Sequence, residues 1–190
     1  MIVKVSDAPV TAEELLALPD SKSYELVDGK LVERHMGFES SWVGNQISER
    51  LNAHCRGHQL GWVAQADASY RCFPDRPNLV RKPDVSFVRR GRLPDEQLPR
   101  GHCTLPPDLA VEVVSPNDEA EEVEEKLSEY LGVGVALVWV VYPRTRTVYV
   151  YRRDGTANRL TEHHQLDGEV VVPGFTCPVH DIFPPPPATA

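Results

Sequence analysis

No apolar run in these 190 residues approaches the length of a membrane span. Met1-Ile2-Val3-Lys4-Val5-Ser6 lacks the layout of a signal peptide, so the expected address is the cytoplasm. Cysteine is scarce and scattered. Cys55, Cys72, Cys103 and Cys177 form no CxxC pair, which argues for reduced thiols over a disulfide framework. None of the four stands in a framed nucleophile motif, which excludes a cysteine protease or hydrolase. Glycine-rich phosphate loops and internal repeats are both missing. Lysine occurs only at positions 4, 22, 30, 82 and 126, and the net charge is −8. Such a balance excludes a protein that grips nucleic acid by bulk electrostatics, although not a nuclease, whose metal site itself needs carboxylates.

What is present suits one ordinary domain. With 41% hydrophobic and 25% charged residues, the chain can bury a core without staples. We expect one domain over 1–183 and a proline-rich tail over 184–190. Thr11 to Leu18 opens with a capping-box pattern and predicts a short helix stopped by Pro19. Tyr24 to Glu33 reads as two strands around an Asp28-Gly29 turn. Val43, Ile47 and Leu51 carry helical spacing between Ser40 and Cys55, with Gly57 as the expected stop. Strands are expected near 61–64, 68–71 and 84–88.

Leu109 to Ser115 is an apolar, β-branched run that reads as a central strand with both faces buried. A helix over about 118–131, a strand over 135–141 and a further strand over 147–152 follow. The segment 109–141 is therefore a βαβ unit with parallel strands. The expected fold class is α/β or α+β: a mixed sheet flanked by helices.

Glu112 is the anomaly of that central strand. An unpaired carboxylate there costs roughly several kcal/mol, so a cation should sit over it. A metal ion and Lys126 are the two candidates. Asp84 follows Pro83 at a strand start; with Glu112 on a neighbouring strand it would make an oxygen-rich site suited to Mg²⁺ or Mn²⁺. Lys126 lies roughly 13 Å along the returning helix and Glu112 roughly 10 Å back from its strand end, so the two are nearly level. The competing role for Lys126 is an i,i+4 pair with Glu122.

Other signals are weaker. Arg71, Arg76, Arg81, Arg89, Arg90, Arg92 and Arg100 concentrate before the Glu112 strand, as a phosphate-facing surface or a solvated loop. His54 and His58 have a spacing that can bind zinc, without a third ligand and with Gly57 between them.

Tyr24-Glu25-Leu26-Val27-Asp28-Gly29, Lys82-Pro83-Asp84, Pro107 to Pro116 with its Glu112, Glu125-Lys126-Leu127 with Tyr130, and Val172-Pro173-Gly174-Phe175 occur in that order. Together they resemble the Uma-type putative restriction endonuclease family of the PD-(D/E)XK nuclease superfamily, over about residues 10–183. The resemblance implies a restriction-endonuclease-like fold and a metal-dependent DNA endonuclease acting as a homodimer. It implies Asp84 and Glu112 as metal ligands with the Val113 carbonyl, Lys126 as the catalytic lysine, and Glu25 as the amino-terminal acid near the metal. A strict (D/E)XK reading would put the lysine at Val114, so Lys126 takes that role from the next helix. The sequence departs from the pattern at Glu122-Val123, where the family carries an Asp-Arg pair, and in the strand ending Tyr142-Pro143. The alternative is a catalytically silent nucleic-acid-binding or regulatory module on the same scaffold. A plain interaction protein is the third reading.

Overall fold

The computed structural model describes residues 8–35 and 37–185. The segment 1–6 and most of the expected tail lie outside the described residues. No helix among those described is long and apolar enough to cross a membrane.

A six-stranded mixed sheet organises the chain. It contains β3 (Gly61–Gln65), β4 (Val85–Arg89), β5 (Leu109–Val113), β6 (Leu137–Tyr142), β7 (Thr147–Arg152) and β8 (Ala157–Thr161), in that spatial order. The pair β5–β6 is parallel and every other pair is antiparallel. Helix α3 (Ala120–Gly132) makes the crossover expected of 109–141. It begins two residues later than the apolar stripe suggests, because Asp118 instead accepts the Ser115 N–H at 2.7 Å.

Helix α2 (Phe38–His58) covers one face of the sheet. Val43, Ile47, Leu51 and Cys55 lie one or two turns apart, so they form one stripe and bury against Val85, Phe87, Val111 and Trp139. Alternation along the strands sends Ala110, Val138 and Val140 to the opposite face, where Leu127 and Tyr130 of α3 cover them. Glu112 shares that second face, under α3.

Helix α1 (Ala12–Ala17) has the capping box expected of Thr11 and Glu14. It packs with the hairpin β1 (Tyr24–Val27) and β2 (Lys30–Glu33) around Leu15, Leu26 and Val80. At the Asp28-Gly29 turn both residues have positive φ, 49° and 84°, the conformation this dipeptide favours.

Three expectations are corrected. Residues 68–71 form no strand; Tyr70 makes only isolated bridges to Arg81 and Cys103. Gly57 does not stop α2, which runs on to His58 and closes on Gln59 in the left-handed conformation. The apolar run at 135 enters the sheet only at Leu137. Besides β8, the short pair β9 (Gln165–Asp167) and β10 (Thr176–Pro178) has no counterpart in the sequence reading. Their alternation is too brief to register as periodicity.

Candidate active site

Antiparallel pairing of Val85 with Val111 brings the start of β4 to the end of β5. One step further, the same register sets Asp84 beside Glu112. Asp84 accepts the Val113 N–H through Oδ2 at 2.8 Å, a backbone bond that ties its carboxylate to β5. Its Oδ1 faces Arg34 Nη2 at 3.3 Å. Arg34 is itself fixed, donating to the carbonyls of Ala66 at 2.9 Å and Lys82 at 3.0 Å.

Glu112 sits under α3, and two residues of that helix reach it. Tyr130 donates its hydroxyl to Oε1 at 2.7 Å, and the Lys126 ammonium lies 3.5 Å from Oε2. The helix return therefore does bring Lys126 level with Glu112.

Glu25 enters the same cluster from β1. Its Oε1 accepts the Lys82 N–H at 2.7 Å, while Oε2 lies 3.2 Å from Lys126 and 3.1 Å from Arg81. With 1% of its surface exposed, it is no solvated turn residue. Arg81 continues the network to Glu129 of α3 at 2.5 Å, and Arg76 joins Glu129 to Asp28. Lys126 bridges two buried carboxylates, Glu25 and Glu112, in place of the surface partner Glu122. Losing Lys126 from a bridge of that kind costs more than losing an exposed helix pair, because it leaves buried carboxylates with less compensation.

The electrostatics divide the three acids. Burial pushes the Glu112 carboxyl up to about 7, and the neighbouring Asp84 and Glu25 charges add to the rise against the pull of Lys126. Asp84 is also raised, by burial first, with the Val113 N–H and Arg34 opposing. Glu25 is held below the ordinary carboxylate range: burial raises it, but Lys126, Arg81 and the Lys82 N–H together outweigh that. Lys126 stays charged, since Glu112 and Glu25 overcome the cost of its burial. Asp84 and Glu112 both stay raised despite Arg34 and Lys126 beside them, so burial is not fully offset at either acid and further positive charge would be favourable there.

That demand opens on a cleft of about 120 Å³, lined among others by Glu25, Arg34, Asp84, Glu112, Val113 and Lys126. Among the described residues, no group of three or more His, Cys, Asp or Glu side chains is set to hold a metal. The available donors are instead two hard carboxylates with the adjacent backbone, a set that fits a divalent cation retaining several waters of its own. No cysteine lines the cleft, and His35 is the imidazole at its wall, so carboxylate oxygens dominate the donors, which disfavours soft metals.

The rival signals resolve into structure. His54 contacts the Pro173 carbonyl at 3.0 Å and His58 the His54 carbonyl at 3.0 Å, so both imidazoles are engaged at the end of α2. Arg71 pairs with Glu13, Arg76 with Asp28, Arg81 with Glu25 and Arg92 with Asp108, so these four arginines are neutralised locally. Arg34 and Glu129 are the members of the network that sequence reasoning missed. Arg34 follows the hairpin in a segment without periodicity, and Glu129 is one of many acids on α3.

A family model described as "Uma2: Putative restriction endonuclease" matches residues 12–180. A solved structure, a putative nuclease belonging to DUF820 from Anabaena variabilis, superposes with a TM-score of 0.76 at 19% identity. The superposition covers 92% of this chain and 97% of that one, which establishes a shared fold. No curated protein matches the chain.

Proposed function

The chain belongs to the Uma2 family of putative restriction endonucleases, and from that premise we propose that it is a metal-dependent endonuclease hydrolysing DNA phosphodiester bonds. One observation carries the reading: Asp84, just before β4, and Glu112 of β5 line one cleft, with Lys126 3.5 Å from Glu112. In this reading Asp84, Glu112 and the Val113 carbonyl hold Mg²⁺ or Mn²⁺. A cation held there would supply Lewis-acid chemistry at a phosphoryl oxygen and lower the pKa of a bound water.

The remaining roles belong to the chain's own side chains. Lys126 directs ammonium hydrogens into the cleft, where they orient a water or neutralise charge developing on phosphate. Glu25, anchored by the Lys82 N–H and Arg81, keeps that ammonium charged and in place. Tyr130 fixes the Glu112 carboxylate and Arg34 steadies Asp84. The reading includes one domain over residues 1–183 and a homodimer able to address two strands.

Incubation with plasmid DNA and Mg²⁺ or Mn²⁺ tests it. Cleavage is expected from the native chain and not from Asp84→Asn or Lys126→Met; cleavage that persists in both variants removes the proposal.

A second reading has an observation in its favour. Glu122 and Glu125 line the same cleft as the catalytic candidates. The added negative charge opposes a phosphate backbone, as a catalytically silent binding module on this scaffold would tolerate. Such a module binds nucleic acid equally well with Asp84→Asn and shows no metal-dependent cutting.

A further inference from the structure

Beyond α3 the sheet continues into β7 and β8, whose face on that side carries an unusual set of side chains. Tyr149 pairs with Arg159 and Tyr151 with Ala157 in the β7–β8 register, so all four project to one face. Both tyrosines are half-buried, while Arg159 and Ala157 are exposed. The rings of Tyr149 and Tyr151 lie 6.3 Å apart with only 18° between their planes. Tyr142, at the end of β6, meets Tyr149 edge-on at 5.5 Å. Three phenols thus form a continuous row along the sheet.

The row starts at a cleft next to the candidate active site. Tyr142 lines a second cleft of about 540 Å³ together with Phe38, Ser115, Asp118 and Arg144. Asp118 also lines the cleft of Asp84 and Glu112, so the two spaces adjoin. Phe38 is 91% exposed. Arg159 lies on the outer side of the row opposite Tyr149, and Arg144 stands at its Tyr142 end in the cleft shared with Glu39 and Asp118; both arginines are exposed and, among the described residues, neither side chain makes a hydrogen bond or ion pair. On the inner side Glu124 of α3 faces Tyr142 and Tyr151. A phosphate backbone is therefore steered away from α3 and towards the arginines. Tyr142 and Tyr151 stay neutral there, raised by burial first and by neighbouring phenols and Glu124 after it.

We propose that Tyr142, Tyr149 and Tyr151, with Arg159 and Arg144 beside them, form a stacking platform that holds an unpaired nucleic-acid strand running from the catalytic cleft across β7 and β8. The near-parallel, half-buried rings of Tyr149 and Tyr151 can accept bases of a single strand in any sequence, whereas a duplex keeps its base faces covered. The proposal rests on the nuclease reading only for the direction of the strand, and binding can be measured without cleavage.

The test is fluorescence anisotropy of a labelled oligothymidylate about twenty nucleotides long, with oligouridylate and a matched duplex as parallel arms. The full chain carrying Asp84→Asn is used in chelator, so that no cutting intervenes. We expect the single strands to bind more tightly than the duplex, with about tenfold weaker binding for Tyr149→Ala or Tyr151→Ala. Tyr149→Phe keeps the ring and should bind normally. Arg159→Glu, an exposed change that leaves the core intact, should weaken binding and flatten its salt dependence. The ratio between the thymidylate and uridylate arms tells which polymer the platform prefers. Equal binding by all variants, a duplex preference, or no binding to any strand overturns the proposal. A concentration-dependent mass abolished by Tyr149→Ala would overturn it too, by assigning the face to a second copy of the chain. Loss of cutting in Asp84→Asn with unaltered binding by the tyrosine variants would leave the nuclease reading standing and sink only the platform.

Discussion

Tyr130 donates its hydroxyl to Glu112 at 2.7 Å from one turn beyond Lys126 on the same helix. One helix thus supplies both the hydrogen bond that orients the carboxylate and the cation that faces it.

Tyr130→Phe removes that donor and little volume. We expect a loss of about 1–3 kcal/mol in stability, the cost of leaving a buried acceptor unpaired. Cleavage should slow about tenfold with little change in KM, because the bond orients a site residue and contacts no substrate. Urea denaturation and steady-state kinetics measure the two effects.

Glu112, raised to about 7 from an ordinary 4.5, links stability to pH in a definite direction. Its carboxyl binds a proton more tightly folded than unfolded. The contribution is therefore full below about 4.5 and lost as pH rises through about 7. Metal-free protein should lose stability across that window, and Glu112→Gln should flatten the loss. A divalent cation should restore stability above it, binding more tightly at about pH 8 than at about pH 6, since the proton competes for the same carboxylate. Thermal melts with Mg²⁺ and with chelator decide this.

Arg81 is buried between Glu25 at 3.1 Å and Glu129 at 2.5 Å. Arg81→Met leaves Glu25 to Lys126 and Glu129 to Arg76 alone, and we expect about 3 kcal/mol of destabilisation. Glu129→Gln should cost less, because it leaves the Glu25 pair intact. Chemical denaturation of both variants gives the comparison.

Two glycines should respond with opposite signs to alanine. At Gly61 a Cβ would lie 2.2 Å from the Val88 carbonyl oxygen and 2.9 Å from Arg89 Cα, both backbone atoms, so Gly61→Ala forces β3 off β4. It should destabilise by about 3 kcal/mol or prevent folding. Gly57 lies inside α2 with nothing within 4 Å of its would-be Cβ, so Gly57→Ala should stabilise by about 0.5–1 kcal/mol. Differential scanning calorimetry distinguishes the two.

The sequence by itself determined the hairpin at 24–33, the βαβ unit and the oddity of Glu112, because each rests on local chemistry: a turn dipeptide, an apolar period, a charge in an apolar strand. It also placed Lys126 level with Glu112, since rise per residue is fixed along helix and strand alike. Only the tertiary structure decided that β4 lies beside β5, since pairing across the long connection between them leaves no periodic trace in either one. The same is true of Arg34 and Glu129, whose partners come from elements remote in the chain. Gly57 shows the converse. A residue that weakens an isolated helix is carried through, because the burial of Leu51 and Cys55 just before it outweighs a propensity cost of about 1 kcal/mol.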